Sequence, residues 1–409
     1  MAIPELIAFL SILLLASLLI PPLAKLIRFP AASLLVVIGY LAAELFIHFG
    51  GDTGIRANSF QPLIFYVFLP ILIFDSAYHL NAKHLLRNLP AVLWMAILGM
   101  GLLALLTAVG VYFGINHPTG FPWTTALVCG ALLAATDPVA VVAQIKSSNA
   151  PQQLEILLEG ESLFNDATAV VLFSLFIALA VGDSGSVTPS AALLDFARLF
   201  FGGIAFGAMT GYLASLLSRI LKDSYSAPLL TLLLAYGTFY LGEHWLHVSG
   251  IMAVLAAGLV LGRSHQSLYS QEQAQPLKQL WGLLGQLGNN LVFLLMGVTV
   301  SLAMFTQRWL AILIAIGVVI VARVISTWLS LKAAKLTPGG EPIPSAYQPV
   351  IMWGGLRGVV AIALALSLPT DMAGWWTVQA IAFGVVVFSL FVQAPSNQLL
   401  LKRLIEKDK

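Results

Sequence analysis

The stretch Glu159-Gly-Glu161-Ser162-Leu-Phe-Asn165-Asp166 puts three acids into an otherwise apolar run. It follows a turn holding Asn149 and Pro151 and continues into Ala167-Thr-Ala-Val-Val-Leu-Phe-Ser-Leu-Phe-Ile-Ala178. Read as one helix from Pro151 to Val181, it is about 45 Å long at a rise of 1.5 Å per residue. Asp166 is its middle residue. A carboxylate at the centre of a bilayer costs on the order of 3 kcal/mol even on a lenient insertion scale, so its default reading is functional.

The rest of the chain makes that bilayer the expected surroundings. Of 409 residues, 59% are hydrophobic and only 9% charged, where a soluble chain carries about 25%. Apolar runs of about 20 residues recur from end to end, the pattern of an all-α polytopic membrane protein. The formal net charge of +2 singles out no partner, and nucleic acid is not expected. The single cysteine, Cys129, excludes an intrachain disulfide framework and a cysteine-based metal site, and reads as a small buried hydrophobe. The N-terminus lacks the basic region and cleavage site of a signal peptide, so residues 5–20 read as a retained first span.

Hydropathy gives about thirteen transmembrane spans: 5–21, 31–49, 60–79, 88–114, 121–145, 151–181, 191–219, 227–246, 248–262, 278–303, 308–334, 347–368 and 374–400. Short connections are marked by Pro21-Pro22, Gly50-Gly51, Asn116-His-Pro118, Gly182-Asp-Ser-Gly185 and Pro338-Gly-Gly340, residues that punctuate helices. No segment is long enough for a separate soluble domain, and the tail after Gln398 reads as a short basic stub. Loops after odd-numbered spans, together with the tail, hold fifteen of the twenty Lys and Arg residues. The opposite side has only Arg56, Arg198 and Arg308, while Arg323 and Arg357 fall inside spans. The positive-inside rule then puts the N-terminus outside and the C-terminus in the cytoplasm.

Two spans are interrupted near their middles. In Ala134-Ala-Thr136-Asp137-Pro138, proline removes a backbone donor and disfavours helix at the residue before it. In Trp353-Gly-Gly-Leu-Arg357-Gly358, three glycines loosen the helix around an arginine. These are the fifth and twelfth spans, and an odd offset of seven places the two breaks in oppositely oriented helices. That is the arrangement of two inverted six-helix repeats joined by a linking span, in which discontinuous helices mark a midplane transport site.

The ionisable residues within spans are Asp75, Asp137, Glu161, Asp166, Arg323 and Arg357, with Glu159 shallower. Ser162 and Asp166 share a helix face, as do Glu161 and Asn165, whereas Glu161 and Asp166 point about 140° apart. Asp166, with the Ser162 hydroxyl and the Asn165 amide oxygen, can present oxygens to a small hard cation. Glu161 needs a basic partner, and Arg357 is the candidate for a structural ion pair. Plainer readings stand beside these. Asn165 and Ser162 also serve as interhelical hydrogen-bonding groups, and Asp137 caps a half-helix and neutralises its positive end. Asp75, toward the cytoplasmic end of its span, either lines a water-filled funnel or pairs, and Arg323 has no assigned role on spacing alone. Gly203, Gly207 and Gly211 form a helix-packing stripe. His244 and His247 read as interfacial.

Four stretches closely resemble the sodium/proton antiporters of the NhaP and NHE type, the first branch of the monovalent cation–proton antiporters. They are the central motif Glu159–Phe173, Ala135-Thr-Asp-Pro-Val-Ala-Val141, Leu69-Pro-Ile-Leu-Ile-Phe-Asp75 and Gly355-Leu-Arg-Gly-Val359. The resemblance covers essentially the whole chain, in the expected order, and implies an NhaA-like fold with crossed discontinuous helices. It implies that Asp166 alternately binds cation and proton, and that Asn165 marks the electroneutral branch. Ser162, Asp75 and the backbone around Thr136 match ligands or near-ligands of Na⁺, Glu161 and Arg357 match a stabilising pair, and Arg323 resembles a basic residue of a core helix beside the site. It further implies a homodimer, with a dimerisation part (roughly 1–60 and 191–303) and a moving transport part (roughly 60–181 and 308–400). The tail is shorter than in many relatives, which implies that a C-terminal regulatory domain is absent.

The expected activity is therefore exchange of Na⁺ (or Li⁺) for H⁺ across the inner membrane, one for one, by alternating access and without a cofactor. K⁺/H⁺ exchange fits the same sequence, because spacing does not reveal cavity size. A passive cation channel is the rival of another class. An enzyme is not expected: there is no His-Glu-x-x-His, no Gly-x-Gly-Asp and no pair of catalytic aspartates.

Overall fold

The apolar runs form helices that end where the sequence supplies caps, glycine or proline. The computed structural model describes residues 3–27, 30–48, 64–115, 120–148, 150–181, 189–221, 226–268, 271–337 and 342–407. The turns at Gly50-Gly51, Asn116-His-Pro118, Gly182-Asp-Ser-Gly185 and Pro338-Gly-Gly340, and the basic residues Arg28, Arg56, Lys222 and Lys409, lie outside the described residues. Among those described there is no β-strand. In order, the helices are α1 (Ile3–Ile27), α2 (Ala31–His48), α3 (Ile64–His79), α4 (82–114), α5 (Trp123–Ala134), α6 (Val139–Ser147) and α7 (Gln152–Val181). They continue as α8 (Pro189–Ile220), α9 (226–246), α10 (Gly250–Leu268), α11 (Gln271–Thr299), α12 (Leu302–Lys335), α13 (Gln348–Trp353), α14 (Val359–Leu366) and α15 (375–407).

Each predicted span has its helix or pair of half-helices. Among the described residues, seven helices are long and apolar enough to cross a membrane, and four further apolar helices are shorter. The differences from the sequence reading are local. Pro21 and Pro22 lie inside α1 rather than in a turn; prolines are tolerated in apolar spans where neighbours re-satisfy the freed backbone groups. α4 begins at Ala82, before the predicted start, because Asn81 accepts from the Lys83 and His84 amides and so caps it. α12 begins at Leu302, capped by Ser301, and bends at Arg308, whose backbone leaves the helical region (φ −122°, ψ 19°). The basic tail continues as helix to Lys407.

The helices pack in two groups. One holds α4–α7 with α12–α15, the other α1–α3 with α8–α11, and α7 borders both. The small-residue stripe does what its spacing predicts: Cβ atoms at Gly203, Gly207 and Gly211 would run into the backbone at Ser249, just before α10, and at Ala253 and Ala257 within it. Only glycine lets α8 approach α10 so closely. α3 packs chiefly on α10 and α11, with Gly262 so near that a Cβ there would lie 2.6 Å from the Tyr78 carbonyl oxygen. Asp75 thus rides on the group of α10 and α11, and Asp166 on the edge of the other.

Candidate functional site

Both predicted interruptions are real, and they meet. α5 stops at Ala134 and α6 resumes at Val139, while α13 stops at Trp353 and α14 resumes at Val359. Across the gap the Asp137 amide donates to the Leu356 carbonyl at 2.8 Å, so two unwound strands of backbone cross and satisfy each other. Gly358 is placed where a Cβ would overlap the Asp137 side chain; the crossing is closed to any larger residue.

Four helix ends now point into the middle of the protein with unpaired backbone groups. The charges at the crossing answer them. Asp137 Oδ1 accepts from the Val139 amide at 3.0 Å, and the Val359 amide also reaches the carboxylate. One acid therefore faces the positive N-terminal ends of both resumed half-helices, as helix dipoles favour. Arg357, 1% exposed, does the converse. Its Nε donates to the Leu133 carbonyl at 3.0 Å, near the C-terminal end of α5, and an Nη donates to the Gly355 carbonyl. Its own amide donates to Ser389 Oγ at 3.3 Å.

That geometry corrects the expected ion pair. Glu161, 2% exposed, is held by Arg323, 5% exposed. One Nη of Arg323 donates to Glu161 Oε1 and the other to Oε2 at 3.0 Å, a two-pronged grip. The second Nη also donates to the Ile351 carbonyl of α13 at 3.1 Å. Arg357 is drawn off because it sits in unwound chain, where the carbonyls left by the broken helices claim its guanidinium. Arg323 arrives on the helical part of α12 with both prongs reaching Glu161.

The pair connects to the neighbours of Asp166 through Asn165. Asn165 Nδ2 donates to Glu161 Oε1 at 3.2 Å and to Thr136 Oγ1 at 3.3 Å. One turn earlier, Ser162 Oγ donates to the Thr136 carbonyl at 2.5 Å. Thr136 is therefore fixed through both its hydroxyl and its backbone, which locks the unwound segment onto α7. Asp166 stands beside this lattice without joining it. Among the described residues it has neither hydrogen bond nor ion pair, its Oδ1 is buried without a partner, and Asp137 is a carboxylate near enough to act on it electrostatically. The Asn165 Oδ1 is likewise buried and unpartnered.

Of the predicted residues, the structure gathers Asp166, Asn165, Ser162, Thr136 and Asp137, with Glu161 and Arg323 behind them. Asp75 is engaged elsewhere. Its carboxylate oxygen lies 2.8 Å from His79 Nδ1, and it occupies space against Gly285 of α11 that a Cβ would fill. His79 was not singled out from sequence; its i, i+4 spacing from Asp75 was the available signal. Lys146 binds Glu159 at 3.0 Å and Glu155 at 3.2 Å, tying the end of α6 to the start of α7. Ser389, which holds the Arg357 amide, had no signal in the sequence. Among the described residues no group of three or more His, Cys, Asp or Glu could hold a metal ion.

Comparison with known proteins agrees with this architecture. Residues 11–403 match the family described as "Sodium/hydrogen exchanger, transmembrane". The chain is 33% identical to the Na⁺/H⁺ antiporter NhaH of Halobacillus dabanensis, covering 97% of this chain and 98% of that protein. It is 34% identical to the Na⁺/H⁺ antiporter ApNhaP of Aphanothece halophytica, over 92% of this chain and 70% of that one. Among solved structures, the sodium proton antiporter MjNhaP1 of Methanocaldococcus jannaschii superposes with a TM-score of 0.84, over 99% of this chain and 100% of that one, at 22% identity; this likeness establishes the shared fold. With a family match over nearly the whole length and relatives above 30% identity along theirs, the chain belongs to the transmembrane sodium/hydrogen exchangers.

Proposed function

We propose that the protein exchanges Na⁺, or Li⁺, for H⁺ across the plasma membrane, one for one, with Asp166 as the shared site. One observation carries the reading. Among the described residues, each of the other charges at the crossing has partners: Asp137 the amides, Arg357 two carbonyls through Nε and one Nη, and Glu161 the Arg323 guanidinium. Among the described residues Asp166 is the one carboxylate at the crossing with an unpartnered oxygen, one turn of α7 from the Ser162 hydroxyl and, through it, from the Thr136 carbonyl, the kind of oxygens a hard monovalent cation takes in place of water.

Competition for that one carboxylate supplies the coupling. A bare carboxylate in a low-dielectric interior costs several kcal/mol, so the empty site is the state that does not move. Neutralised by Na⁺ or by H⁺, it can move between the two faces. The group of α4–α7 and α12–α15 carries the site, and the group of α1, α2 and α8–α11 is the platform and dimer contact against which it shifts. α3, expected from sequence in the moving part, goes with the platform in this reading because it packs chiefly on α10 and α11. We assign Asp75 to the approach on the lysine-rich side, because His79 already engages its carboxylate, and we take that side as cytoplasmic from the distribution of basic residues. Asn165 keeps the exchange electroneutral by leaving one titrating group at the site.

Reconstituted transport with Na⁺, Li⁺ and K⁺ across a pH series tests the reading. Sodium and lithium gradients should drive proton movement uphill without a current. Asp166→Asn should abolish exchange while leaving the protein folded, since no partner is lost. Sodium-driven proton flux retained by that variant refutes the proposal.

A further inference from the structure

At the end of α7 away from Lys146 lies a cavity of about 590 Å³ between the two helix groups. Its α7 wall includes Val170, Ser174 and Ala178, at four-residue steps from Asp166, and residues so spaced share a helix face. The cavity thus continues the Asp166 face of α7, beginning one turn beyond the carboxylate. The facing wall includes Tyr66 of α3 and Phe239 and Glu243 of α9. Glu243 is the sole carboxylate among the described residues that line the cavity, and no Lys or Arg lines it. Its Oε1 accepts the amide of Gly250, the first residue of α10, at 2.8 Å, which fixes the side chain at the mouth; the residue is exposed. The adjacent His244 ring is stacked on Tyr240 with centroids 4.6 Å apart.

A single carboxylate in an apolar-walled cleft concentrates field lines and raises the local cation concentration. We infer that Glu243 is a staging acid, which draws the transported monovalent cation into this cavity and feeds it along the α7 face to Asp166. The inference rests on the exchange reaction proposed above. It gives the face opposite Asp75 an acid of its own, on the helix group that Asp75 also occupies, so each approach to Asp166 has a carboxylate fixed to the platform rather than to the site.

Glu243→Gln separates charge from structure, because the glutamine oxygen can still accept the Gly250 amide. Sodium uptake is measured from each face, in right-side-out and inverted membrane vesicles. At low ionic strength the apparent KM for Na⁺ at the cavity face should rise by about three- to tenfold, with no matching rise at the lysine-rich face. The difference should shrink as an impermeant salt is added, and Glu243→Asp should restore most of the affinity. An unchanged KM at the cavity face, an equal rise at both faces, or an aspartate variant as weak as the glutamine one overturns the inference while wild-type exchange still stands. Wild-type vesicles without exchange overturn both.

Discussion

Replacing Arg323 by alanine tests which arginine holds Glu161, and the geometry sets the size of the effect. The change removes both prongs of the grip on Glu161 and the bond to the Ile351 carbonyl. It leaves a carboxylate only 2% exposed with the Asn165 amide as its remaining donor. Losing one partner of a buried pair costs about 3–5 kcal/mol, against less than about 1 kcal/mol for an exposed pair. With 409 residues and an unfolding entropy of roughly 2 cal/mol/K per residue, that cost lowers the melting temperature by roughly 3–6 °C. The nine tryptophans allow unfolding of the purified protein to be followed by intrinsic fluorescence. Glu161→Gln in the Arg323→Ala background should recover much of the loss, because the stranded charge is gone, giving a coupling of about 2 kcal/mol or more. Arg357→Ala should also destabilise, by freeing carbonyls, but its effect should add to that of Glu161→Gln within about 0.5 kcal/mol. Strong coupling of Glu161 to Arg357 and none to Arg323 would refute the pairing.

The crossing yields the remaining predictions. Gly358→Ala forces a methyl group into the Asp137 side chain; overpacking of this kind costs about 1–3 kcal/mol, and transport should fall with it, measured against protein level in vesicles. A variant with wild-type stability and flux would show that the two strands of backbone are not clamped there. Asp137→Asn retains an oxygen for the Val139 amide, whereas Asp137→Ala loses it, so the alanine variant should melt lower by about 1 kcal/mol equivalent; equal melting points would remove the capping role. Lys146→Ala breaks pairs whose lysine side chain is 56% exposed, so its stability should change by less than about 1 kcal/mol, and a larger loss would mean that this tie carries more of the fold than its exposure allows.

The parts of this architecture that could be read from sequence are those with a local cause. Pro138 unwinds the residue before it, and three glycines around Arg357 unwind theirs, so both breaks were visible from spacing. The α8 stripe was visible because its period matches one helix face. What escaped depended on chain direction outside helices. Helical spacing fixes where Glu161 points, but nothing fixes where an arginine in unwound chain points, and Arg357 turned to carbonyls that exist only because α5 and α13 end there. Arg323 carried no local sign of its role, since a single arginine on a long apolar helix can face any neighbour. His79 was readable in principle, four residues from Asp75, yet its spacing also suits an interfacial histidine.

Compensation at the crossing explains why one acid can be left free. The half-helix ends there need a negative and a positive group, and Asp137 and Arg357 supply one of each from the unwound segments themselves. Glu161 and Arg323 cancel locally. These four residues sum to no net charge, so the region can tolerate Asp166 in its neutralised forms without any further basic residue. A second titrating acid in place of Asn165 would break that balance, because Nδ2 of Asn165 donates to Glu161 and to Thr136 and a carboxylate has no such donor to give. Asn165→Asp should therefore unsettle the Glu161 pair and loosen Thr136 as well as add a charge. The measurement that separates these effects is melting temperature beside transport current: a stable variant that exchanges without current would show that Asn165 neither orders the site nor sets its charge.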